Sequence, residues 1–383
     1  MNNKVAILCE VQGYGTKTHT IDLIAQLIKR GYSVELISCT FKAFDYFPEY
    51  IDTSKVTVIN TKLSVYNNTF NIKTWRTFLK SIKSRVIILQ RSSMYFGTHA
   101  FLIACKLTFN KIHYIHHYSE EVAKATSLKE RLMRFSKSIY ANKIIAVSAF
   151  MYEHLIKDWF YPSRKITSVV NGVNINRFKR DTNLADNYRN LHHISKESIV
   201  FGVLARLEDD KGVDFTIKAF TNLIKKNPQQ SLQLIIIGDG IKRNELEDLA
   251  ETLGIRSRIL FTGFLEDPRP ALFCIDFIVA SSRKEPFGLS VIEGIAAGCV
   301  PIVFAVGGMV EIVTSSNQGW VVPAFDIDKL AMAMNDALQL NKRDRGNMQL
   351  NAMQQVNARF DAVKNYEKIL NTFNLKSLQG NNN

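Results

Sequence analysis

Hydrophobic positions along this chain fall into short unbroken runs, separated by stretches with helical spacing. Val5-Ala6-Ile7-Leu8-Cys9 is the first run, and such a segment fits a parallel strand covered on both faces. Gln12 to Lys17 reads as a loop carrying Gly13 and Gly15. Ile21, Ile24, Leu27 and Ile28 then recur on one helix face, and Gly31 stops the pattern. Val34 to Cys39 is the next strand. This strand–loop–helix–strand order opens a doubly wound sheet. Further strands are predicted at 56–59, 86–89, 112–115, 144–147 and 167–170.

A polar stretch without strong periodicity, Asn174 to Ser198, reads as a connector. The pattern then restarts. Strands are predicted at 199–204, 232–237, 259–261, 277–280 and 301–304, with helices at 215–225, 244–253 and 289–297 and a last helix over about 358–373. The boundaries predicted are a Rossmann-like domain at 1–175, a linker at 176–198, a second Rossmann-like domain at 199–356, a returning helix at 357–375 and a frayed tail at 376–383. Two doubly wound α/β domains would face a central cleft, with ligands at the carboxyl ends of the strands.

Length and charge sharpen this picture. The chain has 383 residues, enough for two domains, and a net charge of +14. Residues 1–180 hold 27 basic and 11 acidic residues, a net +16, and the remainder holds 22 and 24, a net −2. Between Asp52 and Glu120 there is no acid, and ten bases occur. One basic half fits an anionic partner such as nucleic acid, a membrane face or a phosphorylated substrate. AT-rich codon usage also adds lysine, although it does not explain the asymmetry. The five cysteines, Cys9, Cys39, Cys105, Cys274 and Cys299, show no paired spacing and read as core residues of a reduced, cytosolic protein. Met1-Asn2-Asn3 leads straight into a strand, so no signal peptide is expected, and no apolar run is long enough to span a bilayer.

Candidate chemistry gathers after the strands. Glu285-Pro-Phe-Gly-Leu-Ser-Val-Ile-Glu293 is a strand–loop–helix junction. There the amides of Phe287, Gly288, Leu289 and Ser290 offer an anion site, and Glu285 and Glu293 offer acceptors for sugar hydroxyls. Arg206 and Lys211 are two cations on one loop, suited to a diphosphate, with Glu208, Asp209 and Asp210 as their alternative partners. Gly238-Asp-Gly240 and Gly307-Gly308 close two further strands. Gly13-Tyr-Gly15 begins a dinucleotide fingerprint, but Thr18 stands where its third glycine belongs, which argues against NAD. Asp326-Ile-Asp328 reads as a helix cap rather than a metal site.

Taken in order and spacing, Gly202 to Gly212, Gly238-Asp-Gly240, Gly263-Phe264, Glu285 to Glu293, Gly298-Cys-Val-Pro301 and Gly307-Gly308 resemble the retaining nucleotide-sugar glycosyltransferases of family 4, which have the two-domain GT-B fold. Val147-Ser148, Asn171-Gly172-Val173 and Phe178 extend the resemblance over about residues 4–370. It implies that Arg206 and Lys211 hold the donor diphosphate, Glu293 the ribose and Glu285 the donor sugar. The backbone around Gly263-Phe264 would meet the base, Gly238 would belong to the donor-binding residues, and Gly15 would approach the diphosphate from the first domain. A histidine at the end of strand 112–115 would contact the sugar near the reacting carbon; His116 aligns there, and His117 stands beside it where an acid is common. No metal or other cofactor is implied, only a nucleoside-diphosphate sugar as co-substrate. A nucleotide-sugar epimerase of the same fold would need cleft carboxylates, which the acid-free run lacks. A nucleic-acid-binding protein would leave the donor constellation unexplained.

Two basic stretches, Asn71 to Arg85 and Leu128 to Lys143, have amphipathic spacing. They fit either core-facing helices with basic outer faces or helices lying on an anionic bilayer. The resemblance and the basic half together point to a lipid-linked glycan acceptor in bacterial surface polysaccharide assembly. The enzyme would then be cytoplasmic, or peripheral on the inner face of the cell membrane.

Overall fold

The computed structural model describes residues 3–9, 14–38, 44, 47–61, 71–91, 98–117 and 128–378. The chain divides into two compact units, residues 1–172 with 362–383, and residues 173–361.

The first unit holds seven parallel strands: β1 (Lys4–Cys9), β2 (Ser33–Ser38), β3 (Val56–Asn60), β4 (Val86–Arg91), β5 (Lys111–His116), β6 (Lys143–Ala146) and β7 (Ile166–Ser168). Their order is β3-β2-β1-β4-β5-β6-β7. Val5 through Cys9 are fully buried, as the unbroken apolar run required. Gly13 lies outside the described residues, and Gly15, expected on a loop, lies in the first turn of the helix Tyr14–Lys29.

The second unit holds six parallel strands: β8 (Ile199–Leu204), β9 (Leu232–Ile237), β10 (Ile259–Gly263), β11 (Phe277–Ala280), β12 (Val300–Phe304) and β13 (Trp320–Val322). Their order is β10-β9-β8-β11-β12-β13. Phe201, Leu234, Ile236, Phe277 and Ile302 lie at the centre of its core. In both sheets the order reverses direction beside the first strand, which is the doubly wound arrangement.

Three stretches differ from the sequence reading. The expected connector is folded within the second unit as a 3-10 turn Ile175–Phe178 and a helix Thr182–Leu191, which Asp181 caps through the Asn183 and Leu184 amides. The last helix, expected over about 358–373, is Ala362–Thr372, and a further helix that the sequence reading did not give, Lys342–Arg359, precedes it. They break where the Val173 amide donates to the Phe360 carbonyl at 2.9 Å. The last helix returns to the first unit. There Tyr366 lies 4.9 Å from the His19 ring and Phe373 stacks 4.2 Å from His113, while Arg30 donates to the Leu375 carbonyl at 2.6 Å.

The two basic stretches have opposite fates. The helix Ile72–Leu79 buries Trp75 and Leu79, and Ile82 follows them inward. The helix Leu128–Ile139 instead buries Arg134 and Ser138 and leaves its apolar stripe exposed. Among the described residues no helix is long and apolar enough to cross a membrane, and Cys9, Cys105, Cys274 and Cys299 are buried, as core residues should be.

Candidate functional site

The candidate residues of the second unit come together on loops that follow β8, β9, β10, β11 and β12. Backbone bonds lace these loops to one another. After β8 the chain makes a 3-10 turn, Asp209–Lys211, and leaves it at Gly212 with φ +58°. A Cβ there would overlap the Ser281 carbonyl oxygen, so only glycine lets the loops of β8 and β11 meet. The Asp210 carbonyl accepts from the Arg283 and Lys284 amides at 2.8 and 3.2 Å. The Ser281 hydroxyl donates to the Gly212 carbonyl at 2.7 Å.

This lacing puts Lys211 beside Glu285. Lys211 Nζ is 3.0 Å from Glu285 Oε2 and 3.4 Å from Asp210 Oδ2. Burial works to lower the lysine pKa, but the Glu285 and Asp210 carboxylates outweigh it and hold the amine above its ordinary value. Arg206 pairs with Glu208 and reaches Asp210 Oδ2 at 3.6 Å. Asp210 Oδ1 is buried with no hydrogen-bond partner. Two cations are thus held by three carboxylates, one of which, Glu208, is on the solvent side with a side chain 37% exposed. A diphosphate arriving at Arg206 can displace that carboxylate at little cost, because an exposed ion pair contributes about 0–1 kcal/mol.

Beyond Glu285, Pro286 and Phe287 turn inward, and Phe287 packs edge-on against Phe360. Only the Phe287 backbone is therefore placed to meet a ligand. Gly288 adopts φ +108° and starts the helix Leu289–Ala296 without a side-chain cap. Leu289 and Ser290 are half-buried in its first turn, where uncapped amides and the helix dipole favour an anion. Glu293 lies one turn further along, 3% exposed. The Gly307-Gly308 loop after β12 fixes the position of Glu285. The Gly308 amide donates to the Glu285 carbonyl at 3.0 Å, and a Cβ on Gly307 would overlap that same oxygen.

Gly238 and Gly263 join the other side of the site. Gly238 has φ +135°, its amide donates to the Gly263 carbonyl at 3.0 Å, and a Cβ on it would overlap the Ala205 carbonyl next to Arg206. Phe264 follows Gly263 and is 65% exposed. Asp326 caps the helix Ile327–Leu338, accepting from the Lys329 amide at 2.8 Å.

His116 and Gly15 belong to the first unit. His116 ends β5, is 1% exposed, and its ring stands 5.5 Å from Trp159 and 5.7 Å from Tyr161. His117 follows the strand; its Nε2 meets Gln90 Oε1 at 2.6 Å, and its ring stands 4.2 Å from His19. Burial pushes the His117 pKa down to about 3, and burial followed by the His117 charge lowers that of His19. The sequence reading missed His19 and Gln90. Gln90 could have been found as a polar residue inside β4, just before its last residue Arg91; His19 left no such signal.

A family model described as "Glycosyl transferases group 1" matches residues 185–355, and one described as "Glycosyltransferase Family 4" matches residues 14–177. An uncharacterized glycosyltransferase of Methanocaldococcus jannaschii is 25% identical over 329 residues, 81% of each chain. The UDP-Gal:alpha-D-GlcNAc-diphosphoundecaprenol alpha-1,3-galactosyltransferase of Escherichia coli is 25% identical over 264 residues, 67% of each chain. Among solved structures, Anabaena HepE in complex with UDP and glucose matches with a TM-score of 0.78 at 18% identity, over 97% of this chain and 99% of that one.

Proposed function

The chain belongs to the group 1 glycosyltransferases of the GT-B fold, and from that premise we propose that it is a retaining, metal-independent enzyme moving a sugar from a nucleoside-diphosphate sugar to a lipid-linked glycan in surface polysaccharide assembly. The observation that carries this reading is the laced pair of loops that sets Arg206, Lys211 and Glu285 together beside an uncapped helix N-terminus. The loops after β8 and β11 bring together cations and uncapped amides, the donor set a diphosphate needs.

In this reading Arg206, Lys211 and the amides of Gly288, Leu289 and Ser290 bind the diphosphate. As the bond from the sugar to the diphosphate breaks, its electron pair stays on the diphosphate. Prepositioned cations and dipoles stabilise that growing charge without reorganising. Two cations supply the neutralisation that a divalent ion would otherwise provide. Glu285 contacts the donor sugar, Glu293 accepts from the ribose hydroxyls, and the backbone at Gly263-Phe264, with Gly238, borders the base. Gly15 and His116, both in the first unit, are the residues to which the family resemblance assigns a diphosphate and a sugar contact.

The acceptor reading draws on the E. coli relative, whose name gives a diphosphoundecaprenol-linked acceptor, and on the basic first half. The test incubates the enzyme with uridine- and guanosine-diphosphate sugars and a polyprenyl-diphosphate-linked sugar, with and without EDTA. Extension of the lipid-linked sugar with an unchanged anomeric configuration, insensitive to EDTA, is the result expected. An inverted linkage, or loss of turnover with EDTA, contradicts it.

A further inference from the structure

We propose that the helix Leu128–Ile139 seats the first unit on an anionic lipid surface, lying in the plane of the headgroups. A helix of a folded domain normally buries its apolar stripe and turns its charges outward. This one does the reverse. Leu128, Leu132, Phe135 and Ile139 recur at spacings of four, three and four residues, so they share one face. They are 73%, 57%, 41% and 57% exposed, and Met133 beside them is 49% exposed.

The opposite face attaches the helix to its own unit through polar groups. Buried Arg134 donates to the Asp158 carbonyl at 2.8 Å and pairs with Glu130. The Tyr114 hydroxyl donates to the Lys137 carbonyl at 3.0 Å. Lys165 caps the end of the helix, donating to the carbonyls of Ser138, Ile139 and Ala141 at 3.0, 3.1 and 2.8 Å. These bonds fix which side faces out, so the exposed stripe is a property of the fold.

Charge decides the occupant. Lys129 and Arg131 are exposed on the helix itself. At its carboxyl end, Lys106 and Arg164 both act on Lys165. The helix's one acid, Glu130, is turned towards Arg134. A second copy docking through the same face would set these cations against one another, whereas an anionic bilayer complements them, each base near the surface contributing about 1 kcal/mol. A 12-residue helix is about 18 Å long, too short to span and suited to lie flat with its apolar face in the acyl boundary.

This goes beyond the acceptor reading and does not depend on it, since a docked enzyme can act on any acceptor. The test is co-sedimentation of the full chain with vesicles of phosphatidylcholine alone and of phosphatidylcholine with phosphatidylglycerol at 3:1. The wild type partitions to the anionic vesicles at least tenfold more strongly. Leu132→Asp with Phe135→Asp lowers that partition at least tenfold, and Lys129→Glu with Arg131→Glu lowers it and flattens its salt dependence. These side chains are exposed, so thermal melting stays at the wild-type midpoint, and nucleotide release from a donor sugar in the absence of vesicles is unchanged. Equal binding to both vesicles, binding to neither, or wild-type binding by the Leu132/Phe135 variant overturns the proposal. So does light scattering that shows a wild-type dimer becoming monomeric in that variant, which would assign the face to a second copy.

Discussion

Lys211 Nζ lies 3.0 Å from Glu285 Oε2, across 74 residues of sequence. The contact joins the loop after β8 to the loop after β11, and in the proposed reading Lys211 holds the donor diphosphate and Glu285 its sugar. Lys211→Ala removes that cation and leaves Glu285 and Asp210 without their partner. Nucleotide release from the donor falls about 10²–10³-fold, the effect of deleting one donor to developing charge. Glu285→Gln keeps the shape, and single-turnover measurements show a smaller fall.

Glu208 gives a prediction of opposite sign. It pairs with Arg206 from the solvent side and must let go when phosphate binds. Glu208→Gln therefore tightens binding of a nucleoside diphosphate, by up to about fivefold, the equivalent of an exposed ion pair. Isothermal titration with UDP and GDP measures this. Weaker binding by the variant would mean that Glu208 helps to hold the ligand.

Gly307 carries a steric prediction. Its Cβ would overlap the Glu285 carbonyl oxygen, and its φ of +53° disfavours other residues. Gly307→Ala pushes the Glu285 loop from its place, costing about 1–3 kcal/mol of stability and at least tenfold in donor turnover. Thermal melting and steady-state kinetics on the purified variant read the two effects separately.

The legible parts of this chain were those with local causes. Val5–Cys9 and Leu232–Ile237 declared themselves because buried parallel strands are apolar throughout. Trp320–Val322 did not, being three residues long with Val321 exposed. The helix Lys342–Arg359 escaped because only Ala352 and Val356 are buried, so there is no stripe to read. Thr182–Leu191 buries only Ala185 and reads as a connector for the same reason. Spacing singled out Arg206, Lys211, Glu285 and Glu293, and the structure gathers the first three around Asp210 with Glu293 in the helix that follows. The hold of Gly307 on Glu285 was not, since a steric contact between distant loops leaves no local pattern. Periodicity found the stripe at Leu128–Ile139 but was silent on which way it faces, because the polar anchors Arg134 and Lys165 decide that.

Acid will destabilise the first unit. His113 is 2% exposed, stacked on Phe373, and its pKa is pushed down to about 3 by burial and then by Lys111 and Lys143. The unfolded chain takes up this proton near pH 6.5 and the folded chain only near 3, so stability is complete above about pH 6.5 and is lost as pH falls through that window. Between pH 7.5 and 5.5 the loss from His113 is about 1 kcal/mol. His117 and His19 are lowered in the same direction. Urea midpoints fall over this range, and His113→Phe removes one histidine's share of the slope. A midpoint independent of pH would contradict this assignment.

In the proposed function the loops after β8 and β11 bind and activate a nucleoside-diphosphate sugar. The most direct measurement is nucleotide release from a panel of such sugars in EDTA, comparing the wild type with Arg206→Ala and Glu293→Ala at matched thermal stability. The wild type releases nucleotide from one donor class, Arg206→Ala lowers that release about 10²-fold or more, and Glu293→Ala raises KM for that donor. Unchanged turnover in both variants would contradict it.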